Sequence, residues 1–359
     1  MLTRSWHIIV LFVILLPSTW ERTYTTDKAE RDDHQNVVKY VAILLFTAFI
    51  LYAAVSNTLM MIILFHPRQS NHYKREFVLI SSQLIICNFM ALLPHIIVVL
   101  PKILHVENNS HAEETTWINR TFSTFATFPY FSMLHFSFLL AINRFVALIL
   151  PKYYFVFESA KLYIEIAVVW LSVLVFTVVD FHYCTTEFNV QKMSWEADCE
   201  KSGGAKKNWW RIRFFWALFI PDVMFVIYVA MFYNIHRKHQ KILKIRAGYE
   251  KNAMKIYHYE WLVLIHAAWN CGILETASII FYFLPSFLIK VFGEIADIPS
   301  NIFINCYFIF ICSMLPTFHF IYNKESHDFV KHHFYHLLNL RIGFLKNKVS
   351  FVGTQPLIN

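Results

Sequence analysis

The chain has 359 residues, of which 57% are hydrophobic and only 16% charged, with a mean hydropathy of +0.44. That balance excludes a soluble domain of mixed surface and marks an integral membrane protein. The net charge of +8 does not point to nucleic acid, because the bases fall in short loops between apolar runs instead of forming one face.

Arg4 precedes an apolar run from Trp6 to Leu16 that is too short to span a bilayer. Residues 1–20 therefore read either as a signal peptide or as a hydrophobic extension that stays on the chain, since the stretch near Thr19 lacks the small residues of a cleavage site. Residues 21–39 are polar. Seven apolar runs of spanning length follow, roughly 40–65, 77–100, 122–150, 162–182, 212–234, 258–284 and 302–322. They predict an all-α fold, a seven-transmembrane helix bundle over residues 40–322, ahead of a basic tail over 323–359. With 7 glycines against 36 phenylalanines, aromatic interdigitation must do the packing that Gly-x-x-x-Gly contacts do elsewhere, and strand-and-turn architectures are disfavoured.

Orientation follows from Lys and Arg. One set of connections, including Arg237, Lys238, Lys241, Lys244, Arg246, Lys251 and Lys255 between spans five and six, carries 17 of them; the opposite set carries nine, Arg211 and Arg213 among them. The N-terminus is thus expected outside. Two glycosylation sequons, at Asn108 and Asn119, both fall between spans two and three, on the side this rule makes external. Among the six cysteines, only Cys184 and Cys199 lie outside apolar segments.

The third run ends in Asn143-Arg144-Phe145, with Pro151 seven residues after the arginine and Tyr154 three further on. An arginine at the end of a long apolar helix meets a partner or a polar cavity. The spacing resembles the Asp-Arg-Tyr motif and its Pro-x-x-Tyr continuation in rhodopsin-like G-protein-coupled receptors, with asparagine for the acid and phenylalanine for the tyrosine. Asn57 and Asn88, each amid apolar residues, need partners inside the bundle, and an interhelical hydrogen bond is their simplest use. In the resemblance they match the first-span asparagine and the second-span acid, so that Asn88 lacks the charge that would hold sodium. Trp170, Pro221 and Pro316 match the tryptophan and prolines of spans four, five and seven. Asn323-Lys324-Glu325 follows Pro316 as the lead into an eighth helix, although Leu315 and His319 replace the asparagine and tyrosine of that box. Trp269 stands in span six with Cys271 in place of the usual proline.

These departures, together with NRFVALILPKYY and with Trp195 ahead of Cys199, are similar to the nematode chemosensory serpentine receptors, most like class x. The resemblance implies a chemoreceptor for an external small molecule or peptide, acting on a heterotrimeric G protein, in the plasma membrane and by analogy in a sensory cilium. The cysteine usually found at the outer end of helix three is absent, so Cys184 and Cys199 are expected to pair with each other. Ligand contacts are expected from the outer halves of the helices, at Tyr130, Phe131, Trp216, Phe219, Glu275 and Thr276. Glu275 and Asp222 are the sharper candidates because they are acids within spans. Asn143 cannot pair ionically with Arg144, and neither Glu250 nor Glu260 is in register to do so, which predicts basal activity.

His332-His333-Phe334-Tyr335-His336 resembles one box of the di-iron membrane oxidases, which need several. An interfacial helix is the simpler reading, with Val330, Phe334, Leu337 and Leu338 toward membrane lipids. No enzyme, metal or cofactor is expected. A ligand-gated seven-span channel is the other alternative.

Overall fold

The computed structural model describes residues 28–66, 75–104, 121–123, 125–201, 203–245, 250–322 and 331. Among them, seven helices are long and apolar enough to cross a membrane. They are α1 (Lys28–Phe65), α2 (Arg75–Pro94), α3 (Thr127–Ile149), α4 (Ser159–Tyr183), α5 (Ala205–Ile245), α6 (Glu250–Phe292) and α7 (Asp297–Tyr322). Beyond Pro94, α2 passes through a π-helical turn at His95–Val99 into a last helical segment, Leu100–Leu104. The α3 helix stops at Leu150, and Pro151 opens a 3-10 turn through Phe157. Proline at that position has no amide for the ladder and a φ suited to starting a new turn. Gly293, at φ 78°, makes the tight reversal between α6 and α7.

Span five was expected from residue 212, but its helix begins at Ala205. Arg211 and Arg213, counted from sequence as loop bases, therefore lie within α5, and Arg213 is buried. The sequons at Asn108 and Asn119, Asn323, residues 1–20 and the histidines from His332 to His336 lie outside the described residues.

Packing is aromatic, as the shortage of glycine requires. Trp170 of α4 sits against Phe128 and Phe136 of α3, with ring centroids 5.7 and 5.0 Å away, and Phe131 meets Phe176 at 4.3 Å. The Trp170 indole also donates to Gln83 of α2 at 3.0 Å. Large apolar side chains such as Leu44, Leu51, Val168, Leu171, Phe225 and Val226 remain exposed on the outward faces, as a bilayer-covered surface demands.

Asn57 is fully buried and joins three helices. Its Nδ2 donates to Cys312 O of α7 at 2.7 Å and to Ala53 O at 2.8 Å, while its Oδ1 accepts from Asn88 Nδ2 of α2 at 2.9 Å. Cys312 stands four residues before Pro316 and so lacks the amide that would normally bond its carbonyl. Asn57→Ala should therefore lower the thermal midpoint of purified receptor, corresponding to a loss of about 1–2 kcal/mol, because it orphans both Cys312 O and the Asn88 amide. Asn88→Ala should cost less, since Cys312 keeps its donor.

Candidate functional site

At the end of the bundle where α4 meets α5, a cavity of about 130 Å³ is lined by α2, α3, α5, α6 and α7. Its wall includes His95, Tyr130, Phe131, Arg213, Ser278 and Asn305. The roof comes from the connection between α4 and α5, which folds into an antiparallel hairpin of β1 (Thr186–Asn189) and β2 (Ser194–Ala197). Thr186 and Trp195 face the cavity from it.

The hairpin is held on three sides. The Cys184–Cys199 disulfide closes its base, as the sequence led one to expect. Lys102, at the end of the α2 continuation, donates to Glu187 Oε1 at 3.2 Å and to Phe188 O at 3.3 Å. From α7, Asn305 Nδ2 donates to Met193 O at 2.9 Å and Asn301 Nδ2 to Lys192 O at 3.0 Å, while the Trp195 indole donates back to Asn305 Oδ1 at 3.0 Å. The turn is locally sealed by Asn189 Oδ1, which accepts from the amides of Gln191 and Lys192. Composition argued against strands, and this four-residue pairing is a local exception fixed by its partners.

Behind the wall lies a buried ion pair. Asp180, fully enclosed on α4, faces Arg213 of α5, with Nη1 at 3.3 and 3.4 Å from the two carboxylate oxygens. Trp209 Nε1 donates to Asp180 at 2.8 Å, and the Arg213 guanidinium lies 4.2 Å from the Trp210 ring centroid. Sequence reading did not single out this pair. The signal was an acid near the end of span four and a base near the start of span five, 33 residues apart.

Of the expected ligand contacts, Tyr130 and Phe131 line the cavity, whereas Trp216, Phe219, Glu275 and Thr276 are not part of its wall. Trp216 and Phe219 are well exposed on the outward face of α5, and Trp216 Nε1 contacts His135 Nε2 at 3.4 Å. Thr276 bonds back to Gly272 O at 2.6 Å. Glu275 is on α6 close to Asp222 of α5, with one carboxylate oxygen buried and unpartnered. Trp269 is half-exposed and stacks on Phe318 of α7 at 5.5 Å. Pro221 is buried in α5, and its carbonyl accepts from Cys271 Sγ of α6 at 3.4 Å.

At the opposite end of α3, Asn143 is buried and Arg144 lies with its guanidinium carbon 4.8 Å from the Phe77 ring centroid of α2. Phe145 packs on the cluster shared by α3, α5, α6 and α7. Tyr154, in the turn begun by Pro151, hydrogen-bonds to Glu76 at the start of α2. Burial first, and then the Glu76 charge and hydrogen bond, push its hydroxyl up to about 12, against the opposing charge of Arg144. A carboxylate does stand at this end, but it comes from α2, not from the sixth span where the sequence reading looked.

Seven apolar helices around a lidded cavity, with an arginine at the far end of the third, form the build of a G-protein-coupled receptor. The family model of the serpentine type 7TM GPCR chemoreceptor Srx matches residues 50–284, and the chain belongs to that family. It is a chemoreceptor of the G-protein-coupled class, and neither the channel nor the oxidase alternative gains support. A search of curated proteins finds no match to the chain.

Arg213→Met should strongly impair folding, because it leaves Asp180 buried without a counter-charge, a change that costs about 3–5 kcal/mol. Combining it with Asp180→Asn should recover much of that loss. The measurement is the thermal midpoint and surface level of both single variants and the double variant.

Proposed function

We propose that the receptor sits in the plasma membrane, and by family analogy in a sensory cilium, with its N-terminus outside and the hairpin end of the bundle facing the exterior. An external small molecule occupies the lidded cavity and favours a helix arrangement that opens the opposite end around Arg144 to a heterotrimeric G protein. The supporting observation is that the cavity-lining Tyr130 and Phe131 and the arginine share one helix, separated by about 20 Å at 1.5 Å per residue. Asn143, Arg144, Phe145, Pro151 and Tyr154 form the coupling surface in this reading. Asn57, Asn88, Trp170, Pro221, Trp269, Pro316 and Asn323 hold or transmit the helix arrangement. The tail carries an interfacial helix on membrane lipids.

Orientation is tested by Asn108 and Asn119. Glycosidase should increase the gel mobility of the wild type and leave the double Asn→Gln variant unchanged; a wild type that carries no glycan argues against this topology. Asn108 should carry most of the glycan, since Asn119 stands close to the start of α3.

The switch role is tested at Arg144. A guanidinium near a helix end snorkels at modest cost, yet its planar fork suits carbonyl or carboxylate partners that an ammonium satisfies poorly. Arg144→Lys and Arg144→Ala should both reach the cell surface at normal levels, and both should lose G-protein activation. Full coupling in the lysine variant would reduce Arg144 to a positional anchor.

A further inference from the structure

We propose, resting on the reading of the lidded cavity as the ligand site, that its ligand is a neutral molecule about the size of one six-membered ring, carrying an O–H or N–H donor that His95 Nε2 accepts. Size comes first. The cavity measures about 130 Å³, and an apolar cavity of about 150 Å³ is enough to hold benzene. Charge comes next. Among the described residues the only charged side chain in the wall is Arg213, and Asp180 already neutralises it from behind. An anionic ligand would compete with a buried carboxylate, and a cationic one would meet no free acid in the wall.

The polar groups of the wall then set the hydrogen-bond pattern. Tyr130 and Ser278 are bonded to each other at 2.7 Å, and Ser278 contacts Ala217 O and Leu274 O. Asn305 and Trp195 are committed to the hairpin clamp. Two buried atoms of the wall remain without a partner, His95 Nε2 and Thr186 Oγ1. The His95 Nδ1 contacts Ala91 O at 3.3 Å, and a carbonyl only accepts; we assign the proton to Nδ1 on that contact, which leaves Nε2 of the neutral ring presenting a lone pair. Asn305 is near this ring, but its Oδ1 is likewise an acceptor. Acceptor faces acceptor, and a donor between them is what the arrangement lacks.

His135 shows the completed version of the same motif. Its Nδ1 bonds Phe131 O at 2.7 Å, four residues back, and Trp216 Nε1 supplies the donor to its Nε2. At His95 the side chain that approaches the ring is Asn305, whose amide hydrogens already go to Met193 O and Asn301 O, so it offers an acceptor and no donor. A ligand hydroxyl would give its proton to His95, and Thr186 Oγ1 is a second unpartnered group of the same wall for a ligand acceptor.

The test uses full-length receptor in lipid nanodiscs, with the thermal midpoint recorded against 4-methylphenol, its methyl ether, p-xylene, 4-methylbenzoate and 4-methylbenzylammonium. The phenol should raise the midpoint at concentrations about tenfold below those of the ether and the hydrocarbon, as loss of one buried hydrogen bond implies, and the two ions should be weaker still. His95→Phe should abolish the preference for phenol over ether, whereas His95→Gln, which keeps an acceptor, should retain part of it. The unliganded midpoints of both variants report on folding. Equal response to phenol and ether, a preference for either ion, a phenol preference that survives in His95→Phe, or no shift with any probe because water alone meets His95 and Thr186 would each overturn the proposal. A G-protein reporter run in parallel separates the two readings. Phenol binding through His95 without signalling leaves the ligand chemistry standing and counts against the cavity as trigger; signalling by other cues that depends on Tyr130 but ignores His95 does the reverse.

Discussion

A helix in hydrocarbon cannot leave backbone polar groups unpaired, so every proline inside a span needs a compensating donor. At two such prolines of this bundle the compensation ties helices together. Pro316 leaves Cys312 O without its amide, and Asn57 of α1 supplies one at 2.7 Å. Pro221 does the same to Ala217 O of α5, which receives the Ser278 hydroxyl of α6 at 3.2 Å. Pro94 precedes the π turn of α2, and the His95 imidazole there contacts Ala91 O at 3.3 Å. The breaks at Pro316 and Pro221 thus each specify a neighbour, and together they fix α1 against α7 and α5 against α6.

This logic explains which features were legible in the sequence. Seven spans follow from length and apolarity, and the inward placement of Asn57 and Asn88 from the rarity of amides in lipid, though not that they bond each other. The pairing of Cys184 with Cys199 follows from their being the only cysteines outside spans. What a single sequence does not carry is the rotation of each helix about its axis. Spans that are apolar nearly all round give no clear inward face. Trp216, Phe219 and Glu275 were placed by depth and look inward only on that assumption, whereas Tyr130 and Phe131 line the cavity from α3. The hairpin was hidden for a different reason. Its strands are four residues long, and its stability comes from Lys102, Asn301 and Asn305, which are remote in sequence.

Arg213 illustrates the limit of charge counting. As a loop base it supports an orientation; as the partner of Asp180 it says nothing about which side of the membrane it faces. Removing it from the tally still leaves the basic excess on the connection between α5 and α6, so the orientation argument does not depend on it. The pair instead sets the electrostatics of the cavity, because it places a guanidinium in the wall while cancelling its charge.

The contacts between α3 and α6 connect the two ends of the molecule. The Tyr130 hydroxyl meets Ser278 beside the cavity, and about two turns further along α3 Ser137 accepts from Asn270 of α6 at 3.0 Å. Ser278 also bonds Ala217 O on α5, and the Cys271 thiol bonds Pro221 O, so α6 is attached to α5 one turn before the proline and at the proline itself. A ligand that shifts Tyr130 acts on the one hydroxyl that also repairs the α5 ladder. If Ser278 follows the tyrosine, Ala217 O loses its donor, and α5 and α6 must readjust together around Pro221. In the proposed reading, sub-ångström changes at the cavity would be amplified in this way, because a buried carbonyl is either paired or not. Arg144 then lies beyond the Ser137–Asn270 bond on the same helix, at the end where rearrangement of α6 relative to α3 has its longest lever.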